Sequence, residues 1–448
     1  MKIFVSTFAI SLCLMIVQSD ARSEGNSATW PQFRGADSTG VVTEPVSIPD
    51  NWSSTENVAW KTDVAGRGWA SPIVVGNRIF LTTVVNQGES EEVQKGLYFG
   101  GNRPTPPESV HQWKVVCLAL DTGAELWTKQ VHEGKPRTAI HIKNSFASET
   151  PVTDGERVYV LFGGVGVYCL DLDGNEVWSR EIAPRKTRYG WGTAASPVLH
   201  RDRIYIVNDN DEASYLIAFD KRTGEQKWLV ERDEKSNWAT PFVWQTDHGT
   251  EIVTPGTGKV RSYDLNGDLR WSLSGMSSIT IATPYVHDGL LFVTSGYVLD
   301  KRKPIFAIRP GASGDISLKE GESSNSSIAW SQPMAGPYNP STVAHEGIVY
   351  VLYDRGFFAA FDAKTGAEIY SKKRIPNGRA FTSSPWVFNG KIFCLNEDGK
   401  TFVMKTGREF EILHTNSLAE DDIGMATPAI AGDRLLIRTS ERIYCIQQ

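Results

Sequence analysis

An all-β, eight-bladed propeller of four-stranded antiparallel blades is the fold this sequence predicts, and three observations predict it. A Ser/Thr/Asn-Pro step opens an apolar strand eight times, at Pro72, Pro151, Pro197, Pro241, Pro284, Pro340, Pro385 and Pro428. A second landmark follows each step, clearest as Ala218-Phe219-Asp220-Lys221-Arg222-Thr223-Gly224 closing on Trp228, and again in Ala360-Phe361-Asp362-Ala363-Lys364-Thr365-Gly366. The eighth closing residue does not follow Cys445 but stands early in the chain, in Glu56-Asn57-Val58-Ala59-Trp60. Self-similarity at about 40–50 residues with several short strands per copy marks a propeller.

Each copy reads as four strands. In the third they are Pro197–His200, Arg203–Val207, Tyr215–Asp220 and Gln226–Leu229. Alternation of β-branched and aromatic residues supports strands. Turns such as Asp154-Gly155, Asp288-Gly289 and Asn389-Gly390 separate them. Stacking the copies gives a small-residue column: Ala119, Cys169, Ala218, Ser262, Ala307, Ala360, Val403 and Cys445. A closing column follows: Trp60, Trp127, Trp178, Trp228, Trp271 and Trp330, then Tyr370 and Leu413. A small side chain lets a large ring approach between blades, and the indole N–H then needs a partner. Trp60 is expected to complete the last blade, which otherwise shows an open edge. The propeller domain is thus placed at 56–448, with an N-terminal segment at 22–55.

Residues Met1–Ala21 read as a secretory signal peptide. Lys2 precedes the apolar run Ile3–Val17, and Ser19-Asp20-Ala21 puts small residues where a signal peptidase reads. The run is short for a membrane span, which needs about 20 residues. An exported chain, periplasmic or extracellular, with no transmembrane segment after cleavage is the expectation. Cys117, Cys169, Cys394 and Cys445 include no adjacent pair and no Cys-x-x-Cys. Their neighbourhood favours buried free thiols over disulfides. The balance of 46 basic and 52 acidic residues, net −6, argues against nucleic acid as a partner. A monomer is expected.

Long connections fall mostly on one face, the upper one, where each first strand begins. They are Asn86–Gln112, Lys129–Phe146 and Ser179–Gly192; Arg309–Ile328 falls on the lower face. Long loops on a rigid scaffold carry function. Aromatic residues enter the first strands: Trp69, Phe146, Trp191, Trp238, Tyr338 and Phe381. Because first strands line the central channel, these rings are candidates for a ligand-binding upper mouth. Trp191 and Trp238 should stand side by side there. His141, Asn144, Arg188, Arg232 and Arg34 are candidate polar groups at the same mouth. Inter-blade packing explains the rings equally well, and solvated loops explain the polar groups.

Other chemistries find less. His200, His248, His287 and His345 fall in first-to-second-strand turns of four copies, where turn chemistry accounts for them. Asp171-x-Asp173-Gly174-Asn175 and Asp264-x-Asn266-Gly267-Asp268 lack the Gly and Glu of a calcium loop and fit tight turns. Gly163-Gly164-Val165-Gly166 has no following Lys-Ser/Thr, so it is no phosphate loop. No catalytic residue and no metal ligand is assigned. Glu149, Asp209 and Asp211 keep a carbohydrate-active reading open, which needs two facing carboxylates at the mouth.

The repeat, with its Ala-x-Asp…Thr-Gly…Trp run, resembles the pyrroloquinoline-quinone (PQQ)-type propeller repeat over about Glu56–Gln448. Two groups share that repeat: the quinoprotein alcohol dehydrogenases, and non-enzymatic propellers such as the BamB-like outer-membrane assembly lipoproteins. Trp30-Pro31-Gln32-Phe33-Arg34-Gly35 and His141-Ile142-Lys143-Asn144-Ser145-Phe146-Ala147-Ser148 look like exported propellers widespread in planctomycete-type bacteria. The dehydrogenases imply a PQQ cofactor held by a disulfide between neighbouring cysteines and a calcium-holding carboxylate set. This chain has no Cys-Cys pair and no matching carboxylate motif, so no cofactor is assigned. It also lacks a Cys just after the signal peptide, where the assembly lipoproteins carry their lipid. The favoured expectation is a non-enzymatic scaffold that binds a protein or peptide through its upper face. A PQQ-dependent oxidoreductase with a divergent site is the alternative.

Overall fold

The computed structural model describes residues 1, 29–89, 93–97 and 105–448. The predicted signal peptide lies outside them. The described residues form eight antiparallel blades whose strand order follows the sequence. The first strands are Ile73–Val75, Val152–Thr153, Val198–His200, Phe242–Thr246, Tyr285–His287, Val343–His345, Trp386–Phe388 and Ala429–Ala431. In the eighth blade the outermost strand is Val58–Asp63, paired with Arg442–Ile446 and setting Trp60 opposite Cys445. The ring is therefore closed by the front of the chain, and no blade lacks its fourth strand.

The Ser/Thr-Pro steps have a physical reason. Proline spares the sheet a backbone donor at a strand start, and the hydroxyl before it accepts a backbone N–H from the preceding blade. Ser71 N donates to Thr150 Oγ1 (3.0 Å), Thr150 N to Ser196 Oγ (2.9 Å) and Ser196 N to Thr240 Oγ1 (3.0 Å). Farther round, Thr283 N donates to Ser341 Oγ, Ser341 N to Ser384 Oγ and Ser384 N to Thr427 Oγ1, at 2.9–3.0 Å. These bonds form a belt of hydroxyls about the channel. Blade 6 corrects the repeat's register. There Ser341-Thr342 occupies the Ser/Thr-Pro place, and Pro340 stands two residues early.

The closing column works by docking. In every blade a register shift on the outer pair bulges one residue just before the closing ring. A bulge re-aims the next side chain, here toward the following blade. Trp60, Trp127, Trp178, Trp228 and Trp330 each donate Nε1–H to a backbone carbonyl there, at Leu120, Leu172, Lys221, Leu265 and Ala363, over 2.9–3.1 Å. The turn glycine of that blade lies flat on the indole. A Cβ on Gly224 (φ +67°) would stand 2.6 Å from Trp178, and one on Gly366 2.5 Å from Trp330.

Three details differ from the sequence columns. Trp127 faces Cys117, not Ala119, because Ala119 opens the Ala119–Gly123 turn, the counterpart of Asp220–Gly224, and Cys117 holds the place of Ala218. In blade 7 the residue opposite Val403 is His414, and Leu413 is the bulged, exposed residue. Trp271 donates to the buried Glu251 carboxylate of its own blade (2.7 Å) instead of docking forward. The lower-face insertion replaces that dock. Its Gly314–Asp315 pairs in parallel with Trp271–Ser272, and its Ala312 and Ile316 pack into the same core. All four described cysteines are buried free thiols. The two calcium-like runs are turns in which Asp171 and Asp264 each accept two backbone N–H groups.

The N-terminal segment crosses the lower end of the channel. Thr29–Trp30 pairs with the first strand of blade 1, and Pro31 O accepts from Thr153 N of blade 2. Arg34 reaches Thr342 O of blade 6. Val42 N and Gly40 O then bond Val387 of blade 7, and Ser47 N bonds Asp433 of blade 8.

Candidate functional site

At the upper end of the channel lies a cavity of about 550 Å³. Its floor is the layer just above the hydroxyl belt, with Ala194, Ile281, Thr382 and Met425 lining it. One wall is aromatic. The Trp191 and Trp238 rings stand 5.8 Å apart at 41°. Tyr189 tilts onto Trp191 at 5.2 Å, and His141 meets it edge-on at 5.8 Å. In the same cluster Tyr297 and Tyr338 pair at 5.3 Å.

Backbone and polar contacts fix this wall from behind. Asn144 donates to Trp191 O (2.7 Å) and Thr193 O (3.2 Å), tying the blade 2 entry to the blade 3 entry. Trp238 Nε1 donates to Gly192 O at 2.7 Å. Gly192 is a required glycine: its φ is +80°, and a Cβ would stand 2.7 Å from Ile140. Tyr189 holds a left-handed backbone (φ +57°) while its ring stays half exposed. Such strain persists only where its surroundings impose it. The Arg188 guanidinium lies 5.3 Å from the Tyr189 ring centre and 6.0 Å from Tyr297, and donates to Ser278 O.

Gly96 and Leu97, from the connection between the second and third strands of blade 1, stand at one side. Leu97 lines the cavity, and Gly96 N donates to Glu397 Oε2 of blade 7 at 2.8 Å. Lys143 Nζ bridges Gly96 O (2.9 Å) and Glu397 Oε1 (2.5 Å), and Thr382 Oγ1 adds a third bond to that fully buried carboxylate. Asp354 is the one carboxylate lining the cavity among the described residues. Burial pushes its pKa up, as it does those of Tyr297 and Tyr338.

Of the mouth residues expected from sequence, His141, Asn144, Trp191, Trp238 and Tyr338 line the cavity. The others lie elsewhere. Trp69 is buried, its Nε1 donating to Lys143 O. Phe146 packs on His111 and Trp113 between blades 1 and 2. Phe381 is fully buried against Phe402. Arg232 is consumed by a bidentate pair with Asp209 (2.7 and 2.9 Å), both side chains having no exposure. Arg34 lies below the belt, not at the mouth. The sequence reading missed Tyr189, Tyr297, Lys143 and Leu97. Lys143 stands inside a run already singled out, and Tyr297 follows a second strand, where no periodic signal marks it.

The carboxylates of the carbohydrate reading do not face each other at the mouth. Glu149 is buried beneath Thr193 Oγ1 (2.5 Å), Asp209 is paired, and Asp211 accepts Ser236 Oγ (2.8 Å). Burial raises the Glu149 pKa to about 7. Nor do the residues present fit a calcium-assisted quinone site. The cavity offers one carboxylate, no thiol lines it, and the described residues contain no group of three or more His, Cys, Asp or Glu placed to hold a metal.

Residues 112–369 match the PQQ_2 family model, described as outer membrane protein assembly factor BamB. The chain belongs to this family of PQQ-like propellers. Among solved structures it is similar to a europium-containing methanol dehydrogenase, at 13% identity and TM-score 0.57, covering 92% of this chain and 90% of that one. It is similar too to the quinohemoprotein alcohol dehydrogenase of Comamonas testosteroni, at 14% identity and TM-score 0.57, covering 94% and 81%. The computationally designed Ika8 protein matches at 12% identity and TM-score 0.51, covering 77% and 98%. At these identities the likeness is one of fold, and fold does not imply function. No curated protein matches the chain in sequence. No helix among the described residues is long and apolar enough to cross a membrane.

Proposed function

We propose that this chain is an exported, monomeric binding propeller that holds a protein partner by an apolar or aromatic peptide segment seated in the upper cavity. The observation that carries the reading is the wall built from Tyr189, Trp191 and Trp238, held rigid from behind while its faces line an open cavity. Rigid aromatic anchors concentrate binding energy in a few residues. Of the charged groups nearby, Lys143 is spent on Glu397 and Arg188 on a carbonyl, while Asp354 and Arg355 line one side of the cavity, so recognition rests mainly on apolar contact and shape with a charged pair of positions at one side. Export rests on the Met1–Ala21 pattern. Membership in a family described by an assembly factor agrees with a partner-binding role.

The test is titration of the purified protein with an immobilised array of aromatic-containing peptides. Trp191→Ala should weaken the best binder about 30-fold, roughly 2 kcal/mol, while the melting temperature moves by about 1 °C. An array with no binder, or equal affinity for wild type and Trp191→Ala, refutes the reading. A quinone-dependent oxidoreductase is the second reading, favoured only by an aromatic wall against which a planar ring could lie, and opposed by the lack of a calcium-holding set among the described lining residues. Incubation with PQQ and calcium decides it, through retained cofactor absorbance and dye-linked alcohol oxidation.

A further inference from the structure

Six cations gather at the upper rim of blades 5 and 6, in a chain whose net charge is −6. Lys301, Arg302 and Lys303 stand in the connection between the second and third strands of blade 5. Arg355 stands in the matching turn of blade 6, and Lys372 and Arg374 end that blade's outermost strand, Glu368–Arg374. Second-to-third connections and the ends of outermost strands all lie on the upper face, so the topology brings the six to one rim. Five of them are exposed and Lys303 is half-buried. Arg374 donates through Nη1 to Arg355 O and through Nη2 to Gly378 O (3.0 Å). Lys303 N donates to Pro333 O (2.9 Å), and Gly336 N donates to Lys303 O (2.7 Å), which seats Lys303 on the connection leading to blade 6.

The acids of this region do not neutralise the rim. None of the six is in an ion pair among the described residues, whereas the neighbouring Arg379 has Asp398 at 3.6 Å. Asp300 is spent on the Ser277 and Ser278 hydroxyls (2.7 and 3.0 Å), and Asp354 is buried on the cavity side. Glu368 begins the strand that Arg374 ends, about 20 Å away at ~3.3 Å per residue. Lys372 Nζ lies over the Tyr353 ring at 4.3 Å and the Arg374 guanidinium over Phe357 at 5.0 Å, so both project to the blade 5 side, where Lys303 stands. Burial and the like charge of Lys303 hold the Lys372 pKa below its ordinary value. The rim is continuous with two hollows. Arg355 lines the upper cavity, and Lys372, Tyr353 and Met334 line a second cavity of about 400 Å³ between the blades.

We infer that this rim binds acidic side chains of the same protein segment whose apolar residue fills the upper cavity, the segment leaving the cavity past Arg355 and running along Lys303, Lys372 and Arg374. The inference rests on the peptide reading above and adds the partner's charge to it. Like charges collected on one rim of a chain of opposite net charge attract a counter-charged partner. Each exposed pair is worth little by itself and is screened by salt, but complementary patches steer encounter and set partner choice. A peptide segment fits better than a lipid surface, because the cations border a concave aromatic cavity that takes an anchoring side chain.

The probes are an acetylated peptide of two Trp followed by four Glu and the same peptide with four Gln, each made in both chain directions. Fluorescence anisotropy should show wild type preferring the Glu peptide about 10-fold at low salt, with the preference fading toward unity at about 0.5 M salt. The triple variant Lys301→Gln/Lys303→Gln/Lys372→Gln should lose the preference and bind the Gln peptide as wild type does. Its substitutions are on the surface, so its melting temperature should stay within about 2 °C of wild type. Carbodiimide coupling of the Glu peptide to wild type, read by mass spectrometry, should place the new amide bonds on Lys301, Lys303 or Lys372, and this holds even if the variant fails to fold. Wild type that binds both peptides equally, a preference that survives in the triple variant, or coupling to other lysines overturns the inference and leaves the peptide reading standing. Wild type that binds neither peptide overturns both. Phosphatidylglycerol vesicles that bind through the same three lysines more tightly than the Glu peptide would assign the rim to a membrane surface and overturn the inference as well.

Discussion

Trp228→Ala probes what holds neighbouring blades together. Trp228 lies opposite Ala218 in blade 3, its ring tilted on Tyr205 at 5.8 Å, and a Cβ on Gly267 of blade 4 would stand 3.2 Å from it. Removing a large aromatic side chain from a core costs about 3–5 kcal/mol. Trp228 is half-buried, so the low end applies, about 3 kcal/mol. Its hydrogen bond to Leu265 O adds about 1 kcal/mol, and not more, because Arg203 Nη1 also donates to that carbonyl and keeps it from being orphaned. For roughly 390 residues the unfolding entropy is about 0.8 kcal/mol/K. A loss of about 4 kcal/mol then lowers the melting temperature by about 5 °C. Differential scanning calorimetry of Trp228→Ala beside Trp191→Ala reads this directly, with Trp191→Ala expected within about 1 °C of wild type. A Trp228→Ala melt within 1 °C of wild type would refute docking as the inter-blade bond. An equal fall in both variants would make Trp191 a core residue.

Deleting residues through Asp63 should unpair the edge Arg442–Ile446 and give a protein that aggregates on size-exclusion chromatography; a soluble monomer with an unchanged melt would contradict closure by Val58–Asp63. The thiols of Cys117, Cys169 and Cys445, each pushed up to about 12 by burial, should resist alkylation at pH 8 in the native protein, and all four described cysteines should label in denaturant, counted by mass. Glu149 titrates near 7 folded and near 4.5 unfolded, so between those values the folded state binds more protons and stability falls as pH rises, by roughly 3 kcal/mol in all. Chemical denaturation across that window checks this, and Glu149→Gln should flatten the slope. If the slope survives Glu149→Gln, another group carries it.

The number of blades, the strand count and the closure by Trp60 could be read from the chain because each repeats a local pattern. A Ser/Thr-Pro step, an alternating strand and a closing Trp recur wherever a blade recurs, and the copies check one another. Single-residue offsets could not be read that way. Leu413 looks as good a closer as His414 until the bulge between Val403 and Met404 moves the register. Ala119 looks as good as Cys117 until the turn is counted back from Gly123, which puts Ala119 in the place of Asp220.

The mouth shows the same division more sharply. Trp69, Phe146, Trp191, Trp238, Tyr338 and Phe381 occupy similar positions in the repeat, so the sequence offers them as equals. Which rings line the cavity depends on what the neighbouring loop does. The Phe146 ring packs on His111 and Trp113 and is partly buried there, and Phe381 is fully buried against Phe402. Trp191 and Trp238 keep a face on the cavity because Asn144 and Gly192 hold their loop from behind. The pair of Lys143 with Glu397 joins residues 254 apart, and Arg34 meets Thr342 across 308. No local pattern encodes such distances. They follow from closing the ring, which brings blade 1 beside blade 8, lets the connections holding Gly96 and Lys143 reach Glu397 of blade 7, and carries the N-terminal segment across the lower end of the channel.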